Sequence, residues 1–106
     1  MVLTEHKADR TIVCLRGELD AFNAGALSET IARAMALGEG DLVIDLSGVE
    51  FMAVTTVGVL CHTGELLRLQ SRSLVLRSPS KCAKRVLDLC GLTDRFEPSS
   101  AAGGGP

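Results

Sequence analysis

Apolar and polar residues alternate along the chain in short blocks whose period changes several times. The first clear block, residues 11–15, is rich in β-branched and apolar residues, and it predicts a strand that ends at Gly17. Residues 2–4 predict a shorter strand before it. Asp9 and Arg10 are expected in the hairpin turn that joins the two.

The apolar residues that follow Phe22 have the spacing of a helix rather than of a strand. They fall at positions i, i+4, i+7 and i+8 of one face: Leu27, Ile31, Ala34 and Met35. Asn23 or Asp20 is a suitable N-cap for this helix. Gly38 and Gly40 are expected to end it.

Residues 42–44 form a short continuous apolar run between Asp41 and Asp45. Such a run predicts a strand that is buried on both faces, as in the centre of a partly parallel sheet. Ser47 and Gly48 then predict a turn. The flanking aspartates are interpreted as residues that fix turns rather than as metal ligands.

Three further elements complete the pattern. They are a second helix over residues 55–69, another buried strand over 74–76, and a third helix that starts at 78–80 and ends at Gly91. The inner face of the second helix is expected to carry Val57, Leu60, Cys61, Gly64 and Leu67. The third helix is expected to turn its apolar residues inward, namely Cys82, Val86, Leu89 and Cys90, and its charged residues outward, namely Lys81, Lys84, Arg85 and Asp88. The order β-β-α-β-α-β-α predicts an α/β domain with right-handed crossovers.

The length of 106 residues fits one domain, here residues 1–98. Residues 99–106 consist of Ser, Ala, Gly and Pro, so we expect a flexible tail. The net charge of −2 and the absence of any Lys/Arg block argue against a nucleic-acid partner. No apolar run approaches the ~20 residues of a membrane span, and the polar N-terminus does not resemble a signal peptide, so we expect a cytoplasmic protein.

The residues that could carry chemistry are few. The four cysteines form no C-x-x-C pair and no zinc-type spacing with histidine: Cys14, Cys61, Cys82 and Cys90. We interpret them mainly as small buried hydrophobes, with a redox role as the alternative. Cys61 and His62 are adjacent, and neighbours on a helix do not face each other. We therefore predict no catalytic residues, no metal site and no cofactor.

Three stretches resemble conserved motifs of STAS domains, the family of anti-sigma factor antagonists. The first is LRGELDAFNAGAL at residues 15–27, the second is LVIDLSGVEFM at 42–52, and the third is LVLRSPSKCAKRVLDLCGLTDRFE at 74–97. The three stand in the family's order and spacing. The resemblance covers about residues 3–97 and implies a STAS-like fold with a mixed, mostly parallel sheet.

The resemblance also implies a function by partner switching, without catalysis. Antagonists of this family bind a kinase-like anti-sigma factor and so free a sigma factor. The anti-sigma factor then phosphorylates the antagonist on a serine in a D-S-[ST]-G motif at the start of the second helix, and the complex separates.

This chain departs from the family at that motif, which falls on Ala53, Val54, Thr55 and Thr56. Valine has no hydroxyl group, so the usual phosphoacceptor is absent. The leading interpretation is an antagonist that phosphate does not switch off. Phosphorylation of Thr55, with Thr56 as a further candidate, is one alternative; a STAS scaffold, a small-ligand-binding module or a redox sensor is another. Helix capping is the simplest role for the two threonines.

The partner interface is expected at the edge where strands end and helices begin. Its predicted members come from the start of the first two helices, with a rim before the third: Asp20, Phe22, Asn23, Ala53, Val54, Thr55, Thr56, Val57, Ser78 and Pro79. The sequence leaves open whether the chain also forms a homodimer.

Overall fold

The computed structural model describes residues 2–6 and 9–92, and its elements follow the predicted order. They are β1 (Val2–His6), β2 (Arg10–Leu19), α1 (Ala24–Ala36), β3 (Asp41–Met52), α2 (Val54–Leu69), β4 (Leu74–Arg77) and α3 (Lys81–Leu89). The predicted tail at 99–106 and the end of the third motif lie outside the described residues.

The four strands form one sheet in the order β1-β2-β3-β4. β1 pairs antiparallel with β2, whereas β2 with β3 and β3 with β4 are parallel pairs. Each parallel pair is joined through a helix, α1 or α2, and side chains of all three helices share one apolar core with the sheet. The strand residues of that core are Val13, Leu15, Leu19, Leu42, Ile44, Leu46, Val49, Met52 and Leu76.

β2 and β3 are longer than the sequence predicted. β2 continues through Gly17, which adopts a left-handed φ of 83° that glycine accommodates without strain. β3 continues through Ser47 and Gly48 instead of turning there, so that prediction is wrong. The two strands shift register between Cys14 and Arg16 and again after Gly17. Gly17, Ser47 and Gly48 therefore lie within irregular parts of the β2–β3 ladder and do not end the strands.

The burial of the sheet residues matches the strand positions. Residues 42–44 of the inner strand β3 are buried, as predicted. In β4 only Leu76 is buried, while Leu74 and Val75 are half-buried. β4 has a neighbour on one side only within the described sheet, which explains why it is less covered than predicted.

The inner faces of α1 and α2 are close to prediction. In α1, Leu27, Ile31 and Ala34 are buried, and Met35 packs against the core. In α2 the buried residues are Thr56, Val57, Leu60, Thr63 and Leu67. The predicted inner residues Cys61 and Gly64 are only half-buried.

The inner face of α3 was predicted correctly only in part. Cys82 and Val86 are half-buried and pack against the core, as predicted. The fully buried residues, however, are Ala83 and Leu87, whereas Leu89 is 81% exposed and Cys90 is exposed. The helix begins at Ser80, whose hydroxyl accepts a hydrogen bond from the amide of Ala83 at 3.2 Å. This cap satisfies one of the free amides of the first turn and fixes where the nine-residue helix begins. The predicted outward charged residues are all exposed.

The cysteines are less buried than predicted. Cys61 and Cys82 are half-buried and pack against the core, and Cys14 is also half-buried. Cys90 is exposed, so its interpretation as a buried hydrophobe is wrong. All four are free thiols.

A polar network connects the parallel strands at Asp45. Its Oδ1 accepts hydrogen bonds from the amide of Ser47 at 2.9 Å and from the hydroxyl of Ser47 at 2.7 Å. Its Oδ2 lies 3.1 Å from both Nε and Nη2 of Arg77 on β4. Partial burial acts to raise the pKa of Asp45, but the Ser47 hydrogen bonds and the Arg77 guanidinium together outweigh it and lower that pKa.

We expect the Asp45 network to make stability depend on pH in the acid range. Because the pKa of Asp45 is lower in the folded protein, its contribution is present above the unfolded pKa and is lost as pH falls through the folded value. D45N should lower the free energy of unfolding by about 1 kcal/mol at pH 7. Urea unfolding should show this difference shrinking below about pH 4. A difference that stays constant down to pH about 2 would contradict the assignment.

Candidate functional site

The carboxyl ends of β2 and β3 lie side by side and fix the start of α2. Leu19 pairs with Met52 at the end of the ladder. The carbonyl oxygen of Leu19 accepts two hydrogen bonds, from the amide of Ala53 at 2.8 Å and from the hydroxyl of Thr56 at 2.9 Å. The first turn of α2 is therefore attached to β2 and not only to the strand that precedes it.

The threonines do not cap α2 as the sequence suggested. Ala53 occupies the N-cap position, and no side chain makes a capping hydrogen bond there. Thr56 lies inside the helix and is fully buried, and its hydroxyl donates to Leu19. Thr55 is exposed. Of the two threonines, Thr55 is therefore the one whose hydroxyl group is accessible.

A closed turn connects β2 to α1. The amide of Asp20 donates to Oδ1 of Asn23, and the amide of Asn23 donates to Oδ1 of Asp20, both at 3.0 Å. Nδ2 of Asn23 also donates to the carbonyl of Glu18 at 2.8 Å. Asn23 holds the N-cap position of α1, but its side chain stabilises the turn rather than the helix amides. Phe22, within this turn, is 98% exposed.

Three large apolar side chains are exposed at this edge of the sheet: Phe22 at 98%, Val54 at 69% and Phe51 at 50%. We call them the apolar edge surface. Phe51 pairs with Glu18 in the ladder, and Val54 begins the helix that is attached to Leu19. Exposed apolar groups gathered at one edge are typical of a protein-binding surface.

The predicted interface residues divide into exposed and buried groups. Phe22, Val54 and Thr55 are exposed, and Asp20, Asn23 and Ala53 are half-buried at the same edge. Thr56 and Val57 belong to the interior, with Val57 only 5% exposed.

Ser78 and Pro79 lie at a different level of the sheet. Ser78 is exposed with a left-handed φ of 51°, and Pro79 is half-buried. The next residue, Ser80, donates its amide to the carbonyl of Leu46 at 3.1 Å. Leu46 precedes Ala53, the N-cap of α2, by seven positions. The predicted rim is therefore attached to β3 through Leu46, and not to the end of the strand from which α2 begins.

Residues of α3 lie beside Phe51 at the end of β3. Neither Phe51 nor these residues of α3 were among the predicted interface residues. A groove of about 380 Å³ lies between the end of β3 and α3. It is lined by Phe51, Met52, Lys81, Cys82, Arg85 and Val86. The signal that could have revealed Phe51 is strand alternation, because Glu50–Met52 continue β3.

Within 2–6 and 9–92, no three His, Cys, Asp or Glu side chains are grouped as potential metal ligands. Over the same ranges, no helix combines the length and apolar character that crossing a membrane requires.

The comparisons with known proteins identify the family. The family model for the STAS domain matches residues 1–102. This chain belongs to the STAS domain family. The predicted family and the predicted α/β fold are thereby confirmed.

Curated STAS relatives carry names that describe regulators of sigma factors. The anti-sigma-B factor antagonist of Bacillus subtilis is 33% identical over 93 residues, which cover 88% of this chain and 84% of that protein. The anti-sigma-F factor antagonist RsfA of Mycobacterium tuberculosis is 30% identical over 92 residues, which cover 85% of this chain and 72% of that protein.

The fold also matches solved structures. The anti-sigma factor antagonist SpoIIAA, in its unphosphorylated form, superposes with a TM-score of 0.78 over 96% of this STAS domain and 93% of that chain, at 20% identity. The Bacillus protein SpoIIAA in its phosphorylated form matches with a TM-score of 0.70. At this identity the likeness concerns the fold.

Proposed function

We propose that this STAS domain is an anti-sigma factor antagonist. It binds a kinase-like anti-sigma factor through the apolar edge surface and thereby releases a sigma factor. It does so in the cytoplasm and without catalysing a reaction. The names of its relatives at 30–33% identity support the class of function, and the exposed apolar side chains support a protein partner.

The observation that carries the regulatory part of this proposal is the exposure of Val54. It is the first residue of α2, it is 69% exposed, and it has no atom that can accept a phosphoryl group. The position is thus presented to a partner as an apolar contact, where the family motif places a serine. A phosphate there would add about −1.5 to −2 charges and would oppose burial in an apolar contact.

The neighbouring hydroxyls are less suited to replace the serine. Thr56 is fully buried and hydrogen-bonded to Leu19, so a kinase could reach it only after the first turn of α2 opens. Thr55 is exposed, but successive residues of a helix point about 100° apart. A kinase site that aligns residue 54 therefore does not align residue 55.

Phosphate mapping tests this proposal. The wild type and the variant A53D/V54S are incubated with ATP and each kinase-like anti-sigma factor of the source organism, and the phosphorylated residue is located by mass spectrometry. We expect a stable complex and no phosphate with the wild type, and phosphate on residue 54 with the variant. Asp at the N-cap should also stabilise α2 by about 0.5 to 2 kcal/mol, so the variant should fold.

Two outcomes would contradict the proposal. If the wild type binds none of these anti-sigma factors, the antagonist function is wrong. If Thr55 of the wild type becomes stoichiometrically phosphorylated and the complex dissociates, the switch has moved by one residue. The variant T55V then serves as the control, because it should retain binding and lose the phosphate.

A further inference from the structure

We propose that the groove between the end of β3 and α3 receives an acidic segment of the anti-sigma factor. This inference rests on the proposed function and adds the chemistry of the partner. The groove of about 380 Å³ has Phe51, Met52, Cys82 and Val86 among its lining residues, with Lys81 and Arg85 beside them. Phe51 belongs both to the groove and to the apolar edge surface, so the two share this residue.

The two cations of the groove have no partner among residues 2–6 and 9–92, where neither forms an ion pair or a hydrogen bond through its side chain. They are four positions apart on α3, where like charges destabilise a helix. On the next stripe of the same helix, by contrast, Lys84 forms an ion pair with Asp88 at 3.0 Å.

The position of Lys81 adds a second unfavourable electrostatic interaction in the absence of a partner. Lys81 is the first residue of α3, and the first turn contains no acidic side chain. The helix dipole places positive partial charge at this end, so a cation there is unfavourable. Two carboxylates on a bound segment would neutralise both effects, because they would approach Lys81, Arg85 and the helix N-terminus together.

The apolar part of the groove specifies the rest of the segment. Val86 and Cys82 are half-buried, and the thiol of Cys82 donates to the carbonyl of Val49 at 3.3 Å. If an apolar side chain followed an acidic one in the bound segment, it would pack against Cys82 and Val86 while the carboxylate forms ion pairs with Lys81 and Arg85. A basic or uncharged polar segment would leave both cations unpaired.

Charge reversal tests the inference. The affinity of the anti-sigma factor is measured for the wild type, K81E/R85E, K81R/R85K and R33E/R68E at about 50 mM and about 300 mM salt. Arg33 and Arg68 are exposed near the C-terminal ends of α1 and α2, at the opposite edge, so R33E/R68E makes the same change in net charge elsewhere. We expect K81E/R85E to weaken binding about tenfold or more at low salt and less at high salt. K81R/R85K should bind like the wild type, and R33E/R68E should stay within about twofold.

Alkylation of Cys82 gives an independent readout. With iodoacetamide and mass spectrometry, the anti-sigma factor should slow labelling of Cys82 while labelling of the exposed Cys90 continues. The inference is overturned if K81E/R85E binds like the wild type, if R33E/R68E weakens binding equally, or if Cys82 is not protected. It is also overturned if K81E/R85E changes self-association instead. These results leave the proposed function intact, whereas failure of the wild type to bind at all removes both.

Discussion

Replacing Val54 by aspartate is expected to weaken binding to the anti-sigma factor by about 2 kcal/mol or more, roughly thirtyfold in Kd. The substitution places a charge inside an apolar contact, where it loses water without gaining a partner. The fold should tolerate it, because Val54 is 69% exposed and an acidic residue at the first position of a helix is favoured. Titration calorimetry measures the loss, and the melting temperature should change little.

The matched control is L69D on the same helix. Leu69 is 75% exposed at the last residue of α2, at the opposite edge of the sheet. It undergoes a comparable exchange of an exposed aliphatic side chain for a carboxylate. Binding should remain within about twofold of the wild type. Equal losses for V54D and L69D would show that the added charge, and not the site, weakens the complex.

Truncating Leu87 is expected to have the largest effect on stability. Leu87 is fully buried in the core shared by α3 and the sheet, so L87A leaves a cavity and should cost about 2 to 5 kcal/mol. For a domain of this size the melting temperature should fall by roughly 8 °C or more. Thermal unfolding followed by circular dichroism provides the measurement.

L89A is the control for this prediction, since it makes the same truncation two residues further along α3. Leu89 is 81% exposed, so its replacement should change the free energy of unfolding by about 0.5 kcal/mol or less. The pair also distinguishes the observed rotation of α3 from the one expected from sequence. If L89A were the more damaging variant, the observed inner face of α3 would be incorrect.

The order of the elements could be predicted from sequence because each apolar block has a clear period. The ends of β2 and β3 could not, since Gly17 and the pair Ser47 and Gly48 have turn chemistry that pairing between neighbouring strands overrides. The inner face of α3 was predicted only in part for a related reason. Ala83 is small and Leu87 lies beside Val86, so the sequence pattern of this nine-residue helix fits two overlapping faces. Packing against the core, which the sequence does not show, buries Ala83 and Leu87.

The sequence could predict which edge of the sheet exposes apolar residues, but not every residue that lies there. Strand ends and helix starts meet at one edge in any parallel sheet, which brought Phe22 and Val54 into the predicted surface. The inward position of Thr56 agrees with helix spacing, since Leu60 and Leu67 lie four and eleven positions later. Its hydrogen bond to the carbonyl of Leu19, 37 positions away, could not be seen in the sequence. The same holds for Lys81 and Arg85, whose place beside Phe51 arises from the path of α3 along β3.

The attachment of α2 to Leu19 has an evolutionary consequence. Because a backbone carbonyl of β2 holds the first turn through the amide of Ala53 and the hydroxyl of Thr56, the side chains of residues 53 and 54 take no part in this attachment. Substitutions at these two positions are therefore expected to leave the helix in place. Under the proposed function, a single substitution at residue 54 would add or remove a phosphorylatable hydroxyl, so control by phosphate would evolve independently of the fold that presents it.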